Sequence, residues 1–151
     1  MSNAAAAKGT RFETSIVKKL TELTGIKYIR VPLSGASTFA KGDIMIDLRS
    51  GKMSNYCIEC KSYADDQITG NLLYPGGQVF DQWLEQTFRQ ATNMSSKPML
   101  IFKKDRGKPI VALDFEVPEV VNQMRVTRKT GTVYLYLFDD VMPLIKDTLY
   151  K

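Results

Sequence analysis

The chain has 151 residues, enough for one domain with a sizeable apolar core and too few for two comfortable domains. Its composition is that of a globular protein, no apolar run is long enough to span a membrane, and the net charge of +5 suits an anionic partner such as nucleic acid. It contains no histidine, which excludes histidine general bases, Ser-His-Asp triads and His-containing zinc sites. Any catalysis must therefore use carboxylates, lysine, hydroxyl groups or a bound metal.

The N-terminal residues 1–7, MSNAAAA, lack the basic start and long apolar core of a signal peptide. We therefore expect a disordered leader followed by a single domain over residues 8–151. Two cysteines without a secretory signal favour the cytoplasm, and we expect no membrane partner.

Hydrophobic periodicity predicts a mixed α/β domain, with helices flanking a central sheet of about five or six strands. The predicted helices span residues 10–24, 78–94, 118–125 and 139–150. The predicted strands span residues 26–33, 43–49, 56–62, 99–102, 110–115 and 132–138. Residues 65–77, with three glycines and a proline, are predicted to form a long loop.

The strand sequence YCIECKSY, residues 56–63, carries two charges where a buried strand is usually apolar. Alternation places Glu59 and Lys61 on one face, opposite the apolar face that contains Cys60. Cys57 and Cys60 are three residues apart on a strand and so face opposite sides of the sheet. This C-x-x-C spacing therefore indicates core packing rather than a disulfide or a zinc site, for which no further cysteine or histidine exists.

A turn near Gly51 joins this strand to the preceding one. In a hairpin symmetric about Gly51, Asp43 lies directly opposite Glu59, with Cβ atoms about 4.5–5.5 Å apart. Like charges directly opposite each other destabilise a hairpin, so we expect a cation between them. The same register places Lys41 opposite Lys61, where it would contact DNA or assist catalysis.

Glu13 adds a third carboxylate. On a helical wheel it falls within the apolar arc of the first helix, between Leu20 and Val17, where an unpaired glutamate is unusual. Three carboxylates from three elements, with Lys61 beside them, thus point towards one interior region. Such an oxygen-rich set suits Mg²⁺ or Mn²⁺ and favours phosphodiester hydrolysis.

Simpler explanations stay open at this point. Asp43, Glu59 and Lys61 could form a cross-strand ion pair on a solvated sheet face. Glu13 could be a first-turn glutamate favoured by the helix dipole. The small and polar loop at residues 34–38 would suit either ordinary turn hydrogen bonds or a phosphate group.

The acidic residues also resemble a known signature. Asp43, followed sixteen residues later by Glu59-Cys60-Lys61, resembles the D…(D/E)-x-K motif of the PD-(D/E)XK nuclease superfamily. Over roughly the first 65 residues the chain is most similar to Holliday junction resolvases of the archaeal type. The further matching pieces, in chain order, are Lys8-Gly9 with Glu13, Arg30 ahead of Ser34-Gly35, and Asp43-Ile44.

The resemblance implies a restriction-endonuclease-like α/β fold, with a mixed central sheet flanked by helices in a single domain. It implies Asp43, Glu59 and Glu13 as ligands of Mg²⁺ or Mn²⁺, Lys61 as the catalytic lysine, and Ser34 as a catalytic residue near the scissile phosphate. The implied activity is resolution of four-way DNA junctions by a homodimer. The alternatives are a nuclease for duplex or flapped DNA in restriction, repair or phage DNA processing, encoded by a phage or virus, and a non-catalytic DNA-binding protein.

Two departures from the family pattern are Gly42, where the signature usually has proline, and Thr14, where the archaeal resolvases often have arginine. The basic turn at residues 103–108 is predicted to be solvated, with contact to the DNA backbone as the alternative. An amide stripe on the second predicted helix is expected either to be solvated or to reach substrate. The residues expected to contact DNA are Lys8, Arg11, Arg30, Lys41, Gln82 and Gln86.

Overall fold

Short apolar segments build a mixed sheet in this computed structural model, which describes residues 3–32 and 42–151. The strands are β1 (Tyr28–Arg30), β2 (Ile44–Ile46), β3 (Tyr56–Tyr63), β4 (Lys97–Lys104), β5 (Ile110–Leu113), β6 (Met124–Thr127) and β7 (Thr132–Leu137). The helices are α1 (Asn3–Thr24), α2 (Val79–Asn93) and α3 (Phe138–Ile145). The mixed α/β class is thereby confirmed, although the described sheet has more strands than predicted. No helix in the described ranges has both the length and the apolar character needed to cross a bilayer.

The strands lie in the order β1-β2-β3-β4-β5-β7-β6. Only β3 and β4 are parallel among the described pairs, and they pair over eight residues. Parallel neighbours need a crossover connection, which α2 supplies. The strand that carries Glu59 and Lys61 therefore lies inside the sheet, between β2 and β4.

Alternation along the strands divides the apolar core into two layers. The face covered by α1 and α3 buries the larger cluster, which includes Phe12, Ile16, Leu20, Ile58 and Cys60. The face covered by α2 buries a second cluster, which includes Phe80, Trp83, Leu84, Leu100 and Phe102. Both cysteines are buried free thiols, as the alternation predicts. Burying one such aliphatic or aromatic side chain contributes about 1.5–3 kcal/mol to the free energy of unfolding. Apolar clusters on both faces of the sheet therefore stabilise the position of β3.

The first helix is longer than predicted. It ends at Thr24, ahead of Gly25 with a φ of +74°, as the sequence indicates, but it begins at Asn3 rather than near Thr10. Residues 3–7, expected to belong to a leader, are helical, consistent with the high helix propensity of their four alanines.

Two further predicted elements differ from the structure. The helix predicted over residues 118–125 is wrong: this segment runs through turns into β6, which pairs along β7 at the edge of the sheet. Tertiary contacts set the conformation of this segment. One of them, at its start, is the hydrogen bond that the Val117 amide donates to the Tyr136 hydroxyl. The strand predicted over residues 43–49 is shortened because the Asp47 carboxylate accepts from the Arg49 amide and caps a 3₁₀ turn, Leu48–Ser50.

Arg128, next to β6, fixes the long segment between β3 and α2. Its side chain is fully buried, and its Nε and Nη2 atoms donate to the Asp81 carboxylate at 2.7 and 2.8 Å. Its Nη1 atom donates to the carbonyls of Leu72 and Tyr74. The hydrogen bonds from Arg128 hold the pKa of Asp81 below its ordinary value, and Asp81 also caps α2 by accepting from the Gln78 amide. Arg128 therefore anchors residues 65–77 to the start of α2.

Replacing Arg128 by methionine tests this anchor. Arg128→Met leaves a partly buried carboxylate and two carbonyls without their donor, so we expect a loss of about 3 kcal/mol in the free energy of unfolding, measured by urea denaturation. Arg125→Met is the matched control, because Arg125 is an exposed residue of β6. Equal stability of the two variants would contradict the assigned role of Arg128.

Candidate active site

The pairing of β2 with β3 brings Asp43 level with Glu59. Ile44 pairs with Ile58, which is the register that symmetry about Gly51 predicts. Gly51 has a φ of +72° and ends the 3₁₀ turn between the strands. The predicted register is therefore confirmed, although Asp43 lies just before β2 rather than within it.

Asp43 is held by both its backbone and its carboxylate. Its amide donates to the Ile58 carbonyl at 2.7 Å, and its carbonyl accepts from the Val31 amide at 2.9 Å. Its Oδ2 atom accepts from the Cys60 amide at 2.8 Å, so a side-chain oxygen satisfies a backbone donor of β3. The carboxylate is thus oriented towards β3 by the fold itself.

Glu59 is a buried carboxyl group. Only 2% of the residue is exposed, and its backbone neighbour on β4 is Leu100. Burial, together with the charge of Asp43 and a hydrogen bond between the two side chains, raises the pKa of Glu59 to about 8. A hydrogen bond between two carboxyl groups requires a proton on one of them. The solvated ion-pair explanation is excluded by this burial.

This pair of carboxyl groups fits a hard divalent cation. Carboxylate oxygens are the ligands that Mg²⁺ and Mn²⁺ prefer. Two ionised carboxylates this close repel each other, and a bound cation would favour their ionised forms. In the described ranges, no three His, Cys, Asp or Glu side chains form a ready-made metal cluster. Two carboxylates still suit Mg²⁺, which usually takes one or two and completes its coordination with water and substrate phosphates.

Lys61 follows Glu59 on the same face of β3, as alternation predicts. Its side chain is half-buried, and its charge lowers the pKa of both Glu59 and Glu13, against the raising effect of burial. Within the described part of the chain the ammonium has no ion-pair partner. Two residues further on, Tyr63 packs edge-on against Trp83 of α2, with ring centroids 5.8 Å apart. The Lys61 ammonium therefore lies near the carboxyl pair and is available to contact substrate.

Glu13 lies near this pair but is not part of it. Because α1 begins at Asn3, Glu13 lies in the interior of the helix, and the first-turn explanation fails. The Arg30 Nε atom donates to the Glu13 carboxylate at 3.0 Å. Burial nevertheless raises the pKa of Glu13, and the negative charge of Asp43 adds to this effect. Glu13 is thus close enough to Asp43 and Lys61 for their charges to affect its pKa. Its carboxylate is hydrogen-bonded to Arg30, and no cluster of three acidic side chains forms among the described residues.

The structure describes some of the other predicted residues. Ser34 and Lys41 lie outside the described residues. Arg30 is engaged with Glu13, and Lys8 pairs with Asp105 of the β4–β5 turn at 3.0 Å. On the surface, Arg11 and Gln82 are exposed and Gln86 is half-buried.

Sequence reasoning missed a contact made by Gln90. Its Oε1 atom accepts a hydrogen bond from the Gly42 amide at 2.9 Å, directly before Asp43. The sequence does place Gln90 in the amide stripe of α2, one turn after Gln86. Nothing in the sequence, however, connects that stripe with a residue 48 positions earlier.

Gly42 occupies a space that admits no side chain. Its φ of +84° lies in the left-handed region, and a Cβ atom there would meet the Ile58 carbonyl oxygen at 2.6 Å and the Cys57 Sγ at 3.2 Å. The close approach to β3 therefore requires glycine, and it excludes the proline found in the family signature. Proline fixes φ at about −65° and has no amide N–H to donate a hydrogen bond to Gln90.

Two alanine variants separate backbone strain from steric overlap. Gly51→Ala tests a left-handed glycine with open space around it, whereas Gly42→Ala adds the collision with β3. We expect Gly51→Ala to cost about 1 kcal/mol of unfolding free energy. Gly42→Ala should cost at least about 2 kcal/mol more, as measured by urea denaturation. Equal losses would show that the turn relaxes around a Cβ atom at position 42.

Asp43, directly before β2, lies opposite Glu59-Cys60-Lys61 on β3, in a mixed sheet flanked by helices. This arrangement is that of a nuclease of the PD-(D/E)XK type. The family model described as "Phage putative PDDEXK endonuclease" matches residues 4–142, and the chain belongs to this family. The restriction-endonuclease-like fold and the nuclease class expected from the sequence are thereby confirmed, with DNA as the substrate class.

Relatives are found among both sequences and structures. Protein D14 of Escherichia phage T5 is 46% identical over 123 residues, which cover 80% of this chain and 77% of D14. This relative supports a phage origin. Hjc from Archaeoglobus fulgidus, a Holliday junction resolvase from an archaeal hyperthermophile, is similar with 20% identity and a TM-score of 0.43, covering 83% of this chain and 86% of that one.

Proposed function

We propose that the chain is a Mg²⁺- or Mn²⁺-dependent endonuclease that hydrolyses DNA at four-way junctions. The observation that carries the metal-dependent chemistry is the buried Asp43–Glu59 pair beside the Lys61 ammonium. The junction as substrate is supported by the ordered motif set that resembles the archaeal-type resolvases. Because a junction offers two opposed strands, we propose a homodimer with one site in each protomer.

Asp43 and Glu59 are the residues that would hold the cation. When bound, it would supply Lewis-acid activation of the scissile phosphate and of an attacking water. The Cys60 amide keeps the Asp43 carboxylate turned towards β3, so little reorganisation is needed on binding. Lys61 donates to the phosphate or the water and stabilises the negative charge that grows in the transition state. Glu13 acts indirectly, by holding Arg30 and balancing the charge of Lys61.

A basic groove on the face of the sheet covered by α1 offers a path for the DNA backbone. It has a volume of about 500 Å³ and passes between the start of α1 and the β4–β5 turn. Four basic residues line it, Lys8, Arg11, Lys103 and Arg106, with one acid, Asp105, which pairs with Lys8. The groove lies on the face of the sheet that α1 covers, because Ser62 alternates with Lys61 along β3 and Phe12 belongs to the cluster under α1. Phosphate contacts of this kind position a duplex without reading its sequence.

A second candidate function is cleavage of duplex or flapped DNA during phage DNA processing. The phage family and the T5 relative favour it, because neither restricts the substrate to a junction. The same catalytic groups would serve both functions. The difference lies in how the surface around the site and the second protomer hold the DNA.

Cleavage assays on matched substrates separate these functions. A labelled four-way junction and a linear duplex of the same sequence are incubated with the protein, with Mg²⁺ or with EDTA. We expect paired symmetric nicks in the junction alone, and only with Mg²⁺. Cleavage of both substrates would favour the duplex nuclease, and binding without cleavage would favour a non-catalytic protein. Cleavage that persists in EDTA would refute the metal site.

Substitutions in the site should abolish cleavage without unfolding the protein. Asp43→Asn, Glu59→Gln and Lys61→Met should each lower kcat on the order of 10²–10³-fold, because each removes a group that stabilises the transition state. Asp147→Asn and Lys146→Met, in the exposed 3₁₀ turn after α3, are matched surface controls and should retain wild-type rates. Normal cleavage by Asp43→Asn or Glu59→Gln would show that these carboxylates do not form the metal site.

The basic groove is tested by salt dependence. The double variant Lys103→Gln/Arg106→Gln should reduce the slope of log K against log [salt] by about 2, roughly one unit for each lost phosphate contact. Fluorescence anisotropy with Ca²⁺ in place of Mg²⁺ measures this slope. The control Lys146→Gln/Lys151→Gln removes the same charge near the start of β3, at the other end of that strand. Equal slopes for the two double variants would show that only net charge matters.

A further inference from the structure

The turn before Asp43 is held from two sides. The Gly42 amide donates to Gln90 Oε1 on α2 at 2.9 Å, and the next amide, that of Asp43, donates to the Ile58 carbonyl on β3 at 2.7 Å. Two successive backbone donors are thus bonded to two different elements. Since α2 packs on the sheet that contains β3, the turn is fixed relative to both.

Gly42 needs such an external restraint. Glycine has more backbone freedom than any other residue, and the tight approach to β3 leaves no room for a side chain that would reduce it. Gly42 also lies outside the helices and strands, so no ladder of backbone hydrogen bonds fixes its amide. The hydrogen bond to Gln90 is the contact that defines the direction of this amide.

We infer that Gln90 is a positioning residue for Asp43 and acts through the Gly42 amide. This inference rests on the proposed role of Asp43 as a cation ligand. Gln90 itself need not touch the DNA or the cation: it is half-buried on α2, and its acceptor oxygen is occupied by the turn. Removing that oxygen lets the turn move, and the Asp43 carboxylate moves with it.

The test uses variants of matched size. Gln90→Met keeps the length of the side chain but removes the acceptor, whereas Gln90→Glu keeps an acceptor oxygen. Asn93→Met makes the same kind of amide-to-thioether change at an exposed position of α2. In metal-free protein, amide hydrogen exchange measured by NMR should become about tenfold faster at Gly42 in Gln90→Met. It should stay near the wild-type rate in Gln90→Glu and Asn93→Met.

Kinetics on the DNA that the wild-type protein cleaves give the second readout. Gln90→Met should lower kcat by about tenfold or more with KM for DNA unchanged, because displacement of a catalytic group affects the reaction rather than binding. Gln90→Glu should recover most of the lost kcat. Asn93→Met should match the wild type in both parameters.

Two results would overturn the inference. One is unchanged exchange at Gly42, or unchanged kcat, in Gln90→Met. The other is faster exchange throughout α2 with kcat falling only in proportion to the folded fraction, which would indicate a merely structural role. Failure of the inference is distinguishable from failure of the proposed site, because Asp43→Asn would still abolish cleavage in the first case and not in the second.

Discussion

The close approach of two carboxyl groups, Asp43 and Glu59, is the constraint on which the rest of the site depends. In water their repulsion would be minor, but Glu59 is buried, and burial together with the charge of Asp43 raises the pKa of Glu59 to about 8. The protein tolerates this cost because β3 is clamped between two apolar layers. The Cys60 amide satisfies one Asp43 oxygen. The fold therefore keeps two carboxyl groups close together, and the proposed cation site rests on this arrangement.

Much of this arrangement could be predicted from local patterns. The period of two along residues 56–63 separates Glu59 and Lys61 from the core, and symmetry about Gly51 places Asp43 opposite Glu59. Both rules depend only on strand geometry and a short hairpin, so they hold whatever the rest of the chain does. The half-buried position of Glu13 on the inner side of α1 followed in the same way from helical geometry.

Contacts between distant segments could not be predicted in this way. The Arg30–Glu13 ion pair was not predicted, because it depends on how α1 packs beside β1. The strand β6 forms where short-range patterns favour a helix, because pairing with β7 decides its conformation. Both outcomes reflect tertiary contacts that override local preference.

Gly42 shows how a departure from the family signature is accommodated. A proline before the acidic residue would restrict the backbone through its own ring, but the φ of +84° and the approach to Ile58 exclude a ring here. Glycine permits the conformation without enforcing it, so the restriction must come from a neighbour, and the Gln90 oxygen is placed to provide it. The position of Asp43 then depends on α2, a helix anchored at its start by Asp81 and Arg128. Asp43 is thus hydrogen-bonded to β3 through its own amide and carboxylate, while the residue before it is hydrogen-bonded to α2.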